Sequence, residues 1–166
     1  MVEAPEVGLT PAGIGVTSLT LNDLVYSVPH ATFNTPFMRW GLAAEGCSSV
    51  TFPMLIGYPK ASALLLAGET MTAQELDTAG MISRIIPADG FLEKVLEIAE
   101  RMASYSWTAI RTTRELLRRK LREELHAANL REVQALRERN GNNDALPNVL
   151  AFIEEMNRKK ALKAKL

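Results

Sequence analysis

One cysteine, Cys47, stands in the 166 residues, so no internal disulfide can form and the chain is expected to work in a reducing interior. Lysine and arginine total 19 and so do aspartate and glutamate. The formal net charge of zero gives no electrostatic ground for a nucleic-acid partner. His30 and His126 share no ligand spacing, and the sequence indicates no metal site. No uninterrupted apolar run approaches the length of a bilayer-spanning helix. The opening MVEAPEVGLTP has neither the basic nor the apolar region of a signal peptide. The expectation is a soluble intracellular protein with no membrane partner.

What is present is apolar content, 47% of side chains, enough for one domain or for one layer of a larger fold. The stretch ATFNTPFMRWGLAAEGCSSV, residues 31–50, carries just two charges, Arg39 and Glu45. A carboxylate among Trp40, Leu42, Ala43, Ala44 and Val50 is poorly solvated, which disfavours its charged form and suits a general base. The same position also suits a helix cap. If Gly46-Cys47-Ser48-Ser49 opens a helix, the N-terminal dipole favours the Glu45 charge. Both readings stand at this level.

Along the chain, Pro5, Gly8 and Pro11 mark irregular backbone. Ala12-Gly13-Ile14-Gly15-Val16-Thr17 brackets one apolar residue with glycines, so the backbone can turn tightly and offer N–H groups to an oxygen carrying negative charge. Residues 25–28 and 31–34 read as short strands stopped before Pro29 and Pro36. Pro53 is expected to end a helix begun near Glu45. Pro59 to Gly68 and a capping box at Thr72-Ala73-Gln74-Glu75 predict two more helices, and residues 81–86 predict a strand stopped at Pro87.

The remainder reads as helices: Phe91–Met102, about Thr108–Leu121, about Glu123–Arg139, and a last one with Val149, Leu150, Ile153 and Met156 on one face. These faces exceed what the α/β portion can cover, which predicts oligomerisation. Arg114, Arg118, Arg131 and Arg139 alternate with Glu115, Glu124, Glu132 and Glu138, the pattern of a solvated helix face. Cys47, with no histidine near it in sequence, reads as a structural thiol. The basic tail from Arg158 ends in Ala164-Lys165-Leu166, similar to the Ser-Lys-Leu peroxisomal address recognised by an import receptor.

The segments PAGIGVT (11–17), ATFNTPF (31–37), AEGCSS (44–49), TAQELDTAG (72–80) and MISRIIP (81–87), with the AKL ending, together resemble the enoyl-CoA hydratase/isomerase (crotonase) family, most of all its peroxisomal Δ3,Δ2-enoyl-CoA isomerases. The resemblance implies an α/β fold, the C-terminal part of a crotonase-like ββα spiral followed by a helical oligomerisation region. It implies a partial core with the active-site segment over residues 1–87, helices over 88–163 and the targeting tripeptide at 164–166.

It further implies Glu45 as the base and the Ile14 backbone N–H, between Gly13 and Gly15, as one oxyanion donor. Phe33, Phe37 and Trp40 would border the substrate and exclude water. The hydratases of the family use two glutamates where this sequence has Thr17 and Phe37, which favours isomerisation over hydration. The implied substrate is an acyl-CoA thioester, with coenzyme A as part of it and no further cofactor; the implied assembly is a homotrimer or hexamer. Family members carry a longer segment ahead of the Gly-Ile-Gly turn, with another oxyanion donor and much of the acyl-CoA site. Two alternatives accompany the isomerase reading: a truncated, non-catalytic paralogue that joins full-length members, and an enoyl-CoA hydratase.

Overall fold

Apolar runs cut short by proline fold into short strands. The computed structural model describes residues 12–140 together with 146–148, 150, 151, 153, 154, 157 and 158. Strand β1 (Tyr26–Ser27) pairs in parallel with β4 (Arg84–Ile85), and β2 (Thr32–Asn34) pairs antiparallel with β3 (Thr70–Thr72). Strands β1, β2 and β4 are shorter than the runs that signal them, and β3 has no sequence signal of its own. Phe33 faces Met71 in the β2–β3 register, so one buried residue from each strand enters the core.

Between the strands lie α1 (Ile14–Thr17), a 3-10 turn at Ser18–Leu21, another at Met38–Trp40, and helices α2 (Ser48–Ile56), α3 (Tyr58–Leu65) and α4 (Ala73–Ala79). Thr72 caps α4 as its sequence foretold. Its hydroxyl accepts from the Glu75 N–H at 3.2 Å, and its own N–H donates to the Glu75 carboxylate at 2.8 Å. That bond, reinforced by the Thr72 hydroxyl, holds the Glu75 carboxyl below the usual carboxylate range. Gly80 closes α4 in the left-handed conformation.

Two expectations are corrected. Pro53 does not end α2 but sits inside it. A mid-helix proline costs about 3 kcal/mol, and the offset comes from packing: Thr51, Phe52 and Ile56 of the same helix are buried, Phe52 completely. The helices expected over 108–121 and 123–139 are one, α6 (Trp107–Asn140), following α5 (Phe91–Ala103). No glycine or proline interrupts residues 107–140, so nothing in the backbone stops propagation. Leu150 and Ile153 are helical and exposed; Val149, Met156 and the 164–166 tripeptide lie outside the described residues. Among the described residues no helix is long and apolar enough to cross a membrane.

The core gathers Val16, Phe33, Phe37, Phe52, Leu64 and Leu76 with their neighbours. Helix α6 clamps onto it by polar contacts as well as by packing. Arg114 Nε and Arg118 Nε donate to the two carboxylate oxygens of Asp23 at 2.6 and 2.7 Å, and a terminal nitrogen of Arg118 donates to the Leu21 carbonyl. Farther along, Arg139 Nε donates at 3.0 Å to the carbonyl of Gly41, whose left-handed φ of 67° closes the second 3-10 turn. The arginine-rich stripe is thus partly a docking face, while Arg111–Glu115 and Arg131–Glu124 remain exposed pairs.

Burial opposes ionisation of Asp23, but the hydrogen bonds and charges of Arg114 and Arg118 outweigh it and hold the carboxyl below its usual value. A lowered folded-state value contributes stability above the unfolded one and loses it as pH falls through the folded one. Because the pair is half exposed, it is worth about half a kcal/mol at low salt. Thermal unfolding of the wild type and Asp23→Asn should therefore differ at pH 6, and the difference should vanish as the pH drops below the ordinary carboxylate range.

Candidate active site

The Gly-Ile-Gly segment folds into a turn that glycine alone accommodates comfortably: Gly13 has φ 58° and ψ −125°. Its N–H donates to the Asn34 carbonyl at 3.2 Å, which anchors the turn to β2. Its own carbonyl accepts from the N–H groups of Val16 and Thr17 at 2.9 and 3.1 Å. The Ile14 N–H makes no hydrogen bond within the described residues. The Trp40 ring lies beside this turn, 3.9 Å from where a Cβ on Gly13 would stand.

Glu45 is half-buried in the loop ahead of α2. Its side chain does not cap that helix. The N-cap is Cys47, and Glu45 contributes its main-chain carbonyl instead, which accepts from Ser48 Oγ at 2.8 Å and Ser48 N at 3.3 Å. Its carboxylate turns toward α1, where the fully buried Thr17 hydroxyl donates to Oε1 at 2.8 Å. The same hydroxyl lies 3.4 Å from the Ile14 carbonyl, and the shorter contact to a charged acceptor takes the proton. Oε2 accepts no hydrogen bond within the described residues. One oxygen is fixed and the other is open, as a positioned base requires.

Gly46 and Cys47 follow with φ 67° and 64°, and Cys47 is the one non-glycine residue with positive φ among the described residues. Gly46 must be glycine for a second reason: an added Cβ would stand 2.6 Å from Thr17 Oγ1. Successive left-handed residues point their N–H groups into a concavity that favours an anion, and here the anion comes from α6. Glu132, 5% exposed, accepts from Cys47 N at 2.7 Å, Ser49 N at 2.9 Å and Ser49 Oγ at 2.5 Å.

The alternation of arginine and glutamate along α6 predicts a solvated face for Glu132, and the structure buries it. The signal for burial lay in its spacing, because it falls on the stripe Leu121, Leu125, Ala128, Glu132, Leu136 that packs inward. Cys47 is the structural thiol expected: burial first, then the Glu132 charge, push it up, and its Sγ donates to the Leu125 carbonyl at 3.3 Å.

The remaining site residues separate. Phe33 and Phe37, expected beside a substrate, are 4% and 2% exposed within the core. An open apolar groove of about 300 Å³ instead runs from Ala43 and Ala44, next to Glu45, along Pro53 of α2 to Ala61, Leu65 and Leu66. The structure brings Gly13, Ile14, Thr17, Trp40, Glu45 and Gly46 together; Gly15 is exposed at the start of α1.

Comparison with known proteins gives this arrangement its context. The family profile described as enoyl-CoA hydratase/isomerase matches residues 7–161. Rat enoyl-CoA delta isomerase 2 is 36% identical over 141 residues, 85% of this chain and 36% of the rat protein. Human testis-specific chromodomain protein Y 2 is 32% identical over 142 residues, 86% of this chain and 26% of the human protein. The crystal structure of an enoyl-CoA hydratase/isomerase from Pseudoalteromonas atlantica T6c superposes with a TM-score of 0.84 at 32% identity, covering 88% of this chain and 59% of that one. The chain spans 36% and 26% of the length of these two curated relatives, and its fold is the C-terminal part of the crotonase-like domain. A profile that matches nearly the whole chain and a fold that superposes this closely lead to one conclusion: the chain belongs to the enoyl-CoA hydratase/isomerase family.

Proposed function

We propose that this chain carries an enoyl-CoA isomerase centre that shifts a 3-enoyl-CoA double bond to the 2-position through one carboxylate, Glu45. The observation that carries the reading is the asymmetry of that carboxylate. Oε1 is held by Thr17 while, among the described residues, Oε2 has no hydrogen-bond donor and the Ile14 N–H of the neighbouring turn has no acceptor. In the proposed reaction Glu45 removes a proton from C2 of the thioester. The charge delocalises into a dienolate, whose oxygen accepts from the Ile14 N–H, and Glu45 returns the proton at C4. One base performs both transfers, so the reaction needs no resident cofactor. Coenzyme A enters as part of the substrate, and the groove beside Ala44 suits an acyl chain.

Isomerisation is favoured over hydration because water addition calls for a second acid/base group. The Thr17 hydroxyl is committed to Glu45, and Phe37 is packed in the core. The test is turnover of trans-3-hexenoyl-CoA by the full chain, followed by the ultraviolet absorbance of the conjugated product. Turnover supports the reading; folded protein without turnover overturns it.

A specific observation favours a second reading, assembly with other copies or with longer family members as trimers or hexamers. Leu92, Leu96, Trp107, Leu116 and Leu117 of α5 and α6 are 50–75% exposed. Stable mixed oligomers without turnover would support a non-catalytic partner. Ala164-Lys165-Leu166 is proposed as a peroxisomal address. A fluorescent protein carrying the last residues of the chain should enter peroxisomes and stay outside them when Leu166 is removed.

A further inference from the structure

Resting on the reading of Glu45 as the base, we infer that Glu132 of α6 is a positioning residue for it, so that docking of the long helix assembles the active-site turn. Two of the N–H groups at the start of α2, those of Cys47 and Ser49, end on the Glu132 carboxylate, which reaches them across 85 and 83 residues of sequence. The Ser49 hydroxyl ends there too. No side chain of α2 itself caps that end.

Cys47 sits in a conformation that a residue with a side chain adopts at a cost, and two charge-assisted bonds flanking it offset that cost. The helix dipole favours the same anion. Upstream, each link to the base is short and stiff. Cys47 is bonded to Gly46, Gly46 fits against Thr17 with no room for a Cβ, and the Thr17 hydroxyl holds Oε1 of Glu45. A second tie enters from the same side, where the Thr51 hydroxyl donates to the Cys47 carbonyl at 3.1 Å and accepts from Thr20 at 2.7 Å. Losing the Glu132 carboxylate leaves the buried N–H of Cys47 and the part-buried N–H of Ser49 without this acceptor, at a strained residue. The turn relaxes, and the carboxylate it carries drifts from its productive pose. Of the residues that line the acyl groove, Ser49 alone hydrogen-bonds to Glu132 among the described residues, so most of the substrate-binding surface is unchanged.

The experiment compares full-length wild type, Glu132→Ala, Glu132→Gln and Arg118→Ala, with trans-3-hexenoyl-CoA as probe and Glu45→Gln as the test of the base itself. Glu132→Gln keeps the shape and one acceptor, so it folds even if the alanine variant does not. The expected order of kcat is wild type, then Glu132→Gln, then Glu132→Ala, the last at least about tenfold down, with KM within about threefold. Amide exchange at Cys47 and Ser49 accelerates in the same order.

Arg118→Ala cuts a different α6 clip and should lower thermal stability with kcat unchanged. Glu132 variants with wild-type kcat, or a kcat loss matched by Arg118→Ala, overturn the inference. If the wild type shows no turnover that depends on Glu45, the base reading is what fails. Exchange at Cys47 and Ser49 then decides the clamp by itself: unchanged protection in Glu132→Ala and Glu132→Gln overturns it.

Discussion

Glu45→Gln should lower turnover of trans-3-hexenoyl-CoA by a factor of about a hundred to ten thousand, the contribution of one positioned general base. Glutamine matches glutamate in size, and its amide oxygen can still accept from Thr17 Oγ1, so the loop keeps its shape. What it lacks is an oxygen able to take up the C2 proton and return it to C4. The effect should therefore fall on kcat with KM nearly unchanged, because the substrate-binding surfaces remain. Thermal unfolding should not shift downward, since the substitution removes a half-buried charge. A kcat reduced less than about tenfold would mean that another group carries the proton.

Gly46→Ala should impair both folding and turnover. At φ 67° a side chain costs about 1 kcal/mol. The new Cβ would stand 2.6 Å from Thr17 Oγ1, 3.0 Å from Thr17 Cβ and 3.3 Å from Ile14 Cδ1. Thr17 is fully buried and anchored in α1, so it cannot swing aside freely. Overpacking of this kind typically costs about 1–3 kcal/mol. With the strain, a total loss of about 3 kcal/mol is expected in denaturant unfolding. The clash displaces the group that orients Glu45, so kcat should also fall more than about tenfold. A double-mutant cycle checks the cause: with Thr17→Ala the hydroxyl is gone, and the stability penalty of Gly46→Ala should shrink by 1 kcal/mol or more, roughly, as for residues in direct contact.

Both predictions depend on contacts between segments far apart in sequence, and that is where sequence reading and structure part. The sequence located Glu45 by its isolation among apolar residues, yet allowed it to be either a base or a helix cap. The cap reading fails because Cys47 enters the left-handed conformation and Glu132 takes the N–H groups that Glu45 would have taken. Nothing within a few residues of Glu45 announces that. Phe33 and Phe37 were correctly singled out as apolar, but a pattern of apolar residues does not distinguish a substrate wall from a packed core.

By itself the sequence determined the features made within a few residues: the Thr72–Glu75 capping box, the glycine stop at Gly80, the tight turn at Gly13 and the run of α5. Such elements are fixed by local dihedral preference and by partners that are neighbours in the chain. The tertiary structure alone decided that Pro53 stays within α2, that α6 packs back against Leu21, Asp23, Gly41 and Cys47, and that Thr17 bonds to Glu45 while Glu132 bonds to the turn after it. Those outcomes follow from desolvation and from hydrogen bonds that exist once distant segments pack, and local periodicity carries no record of which distant partner arrives.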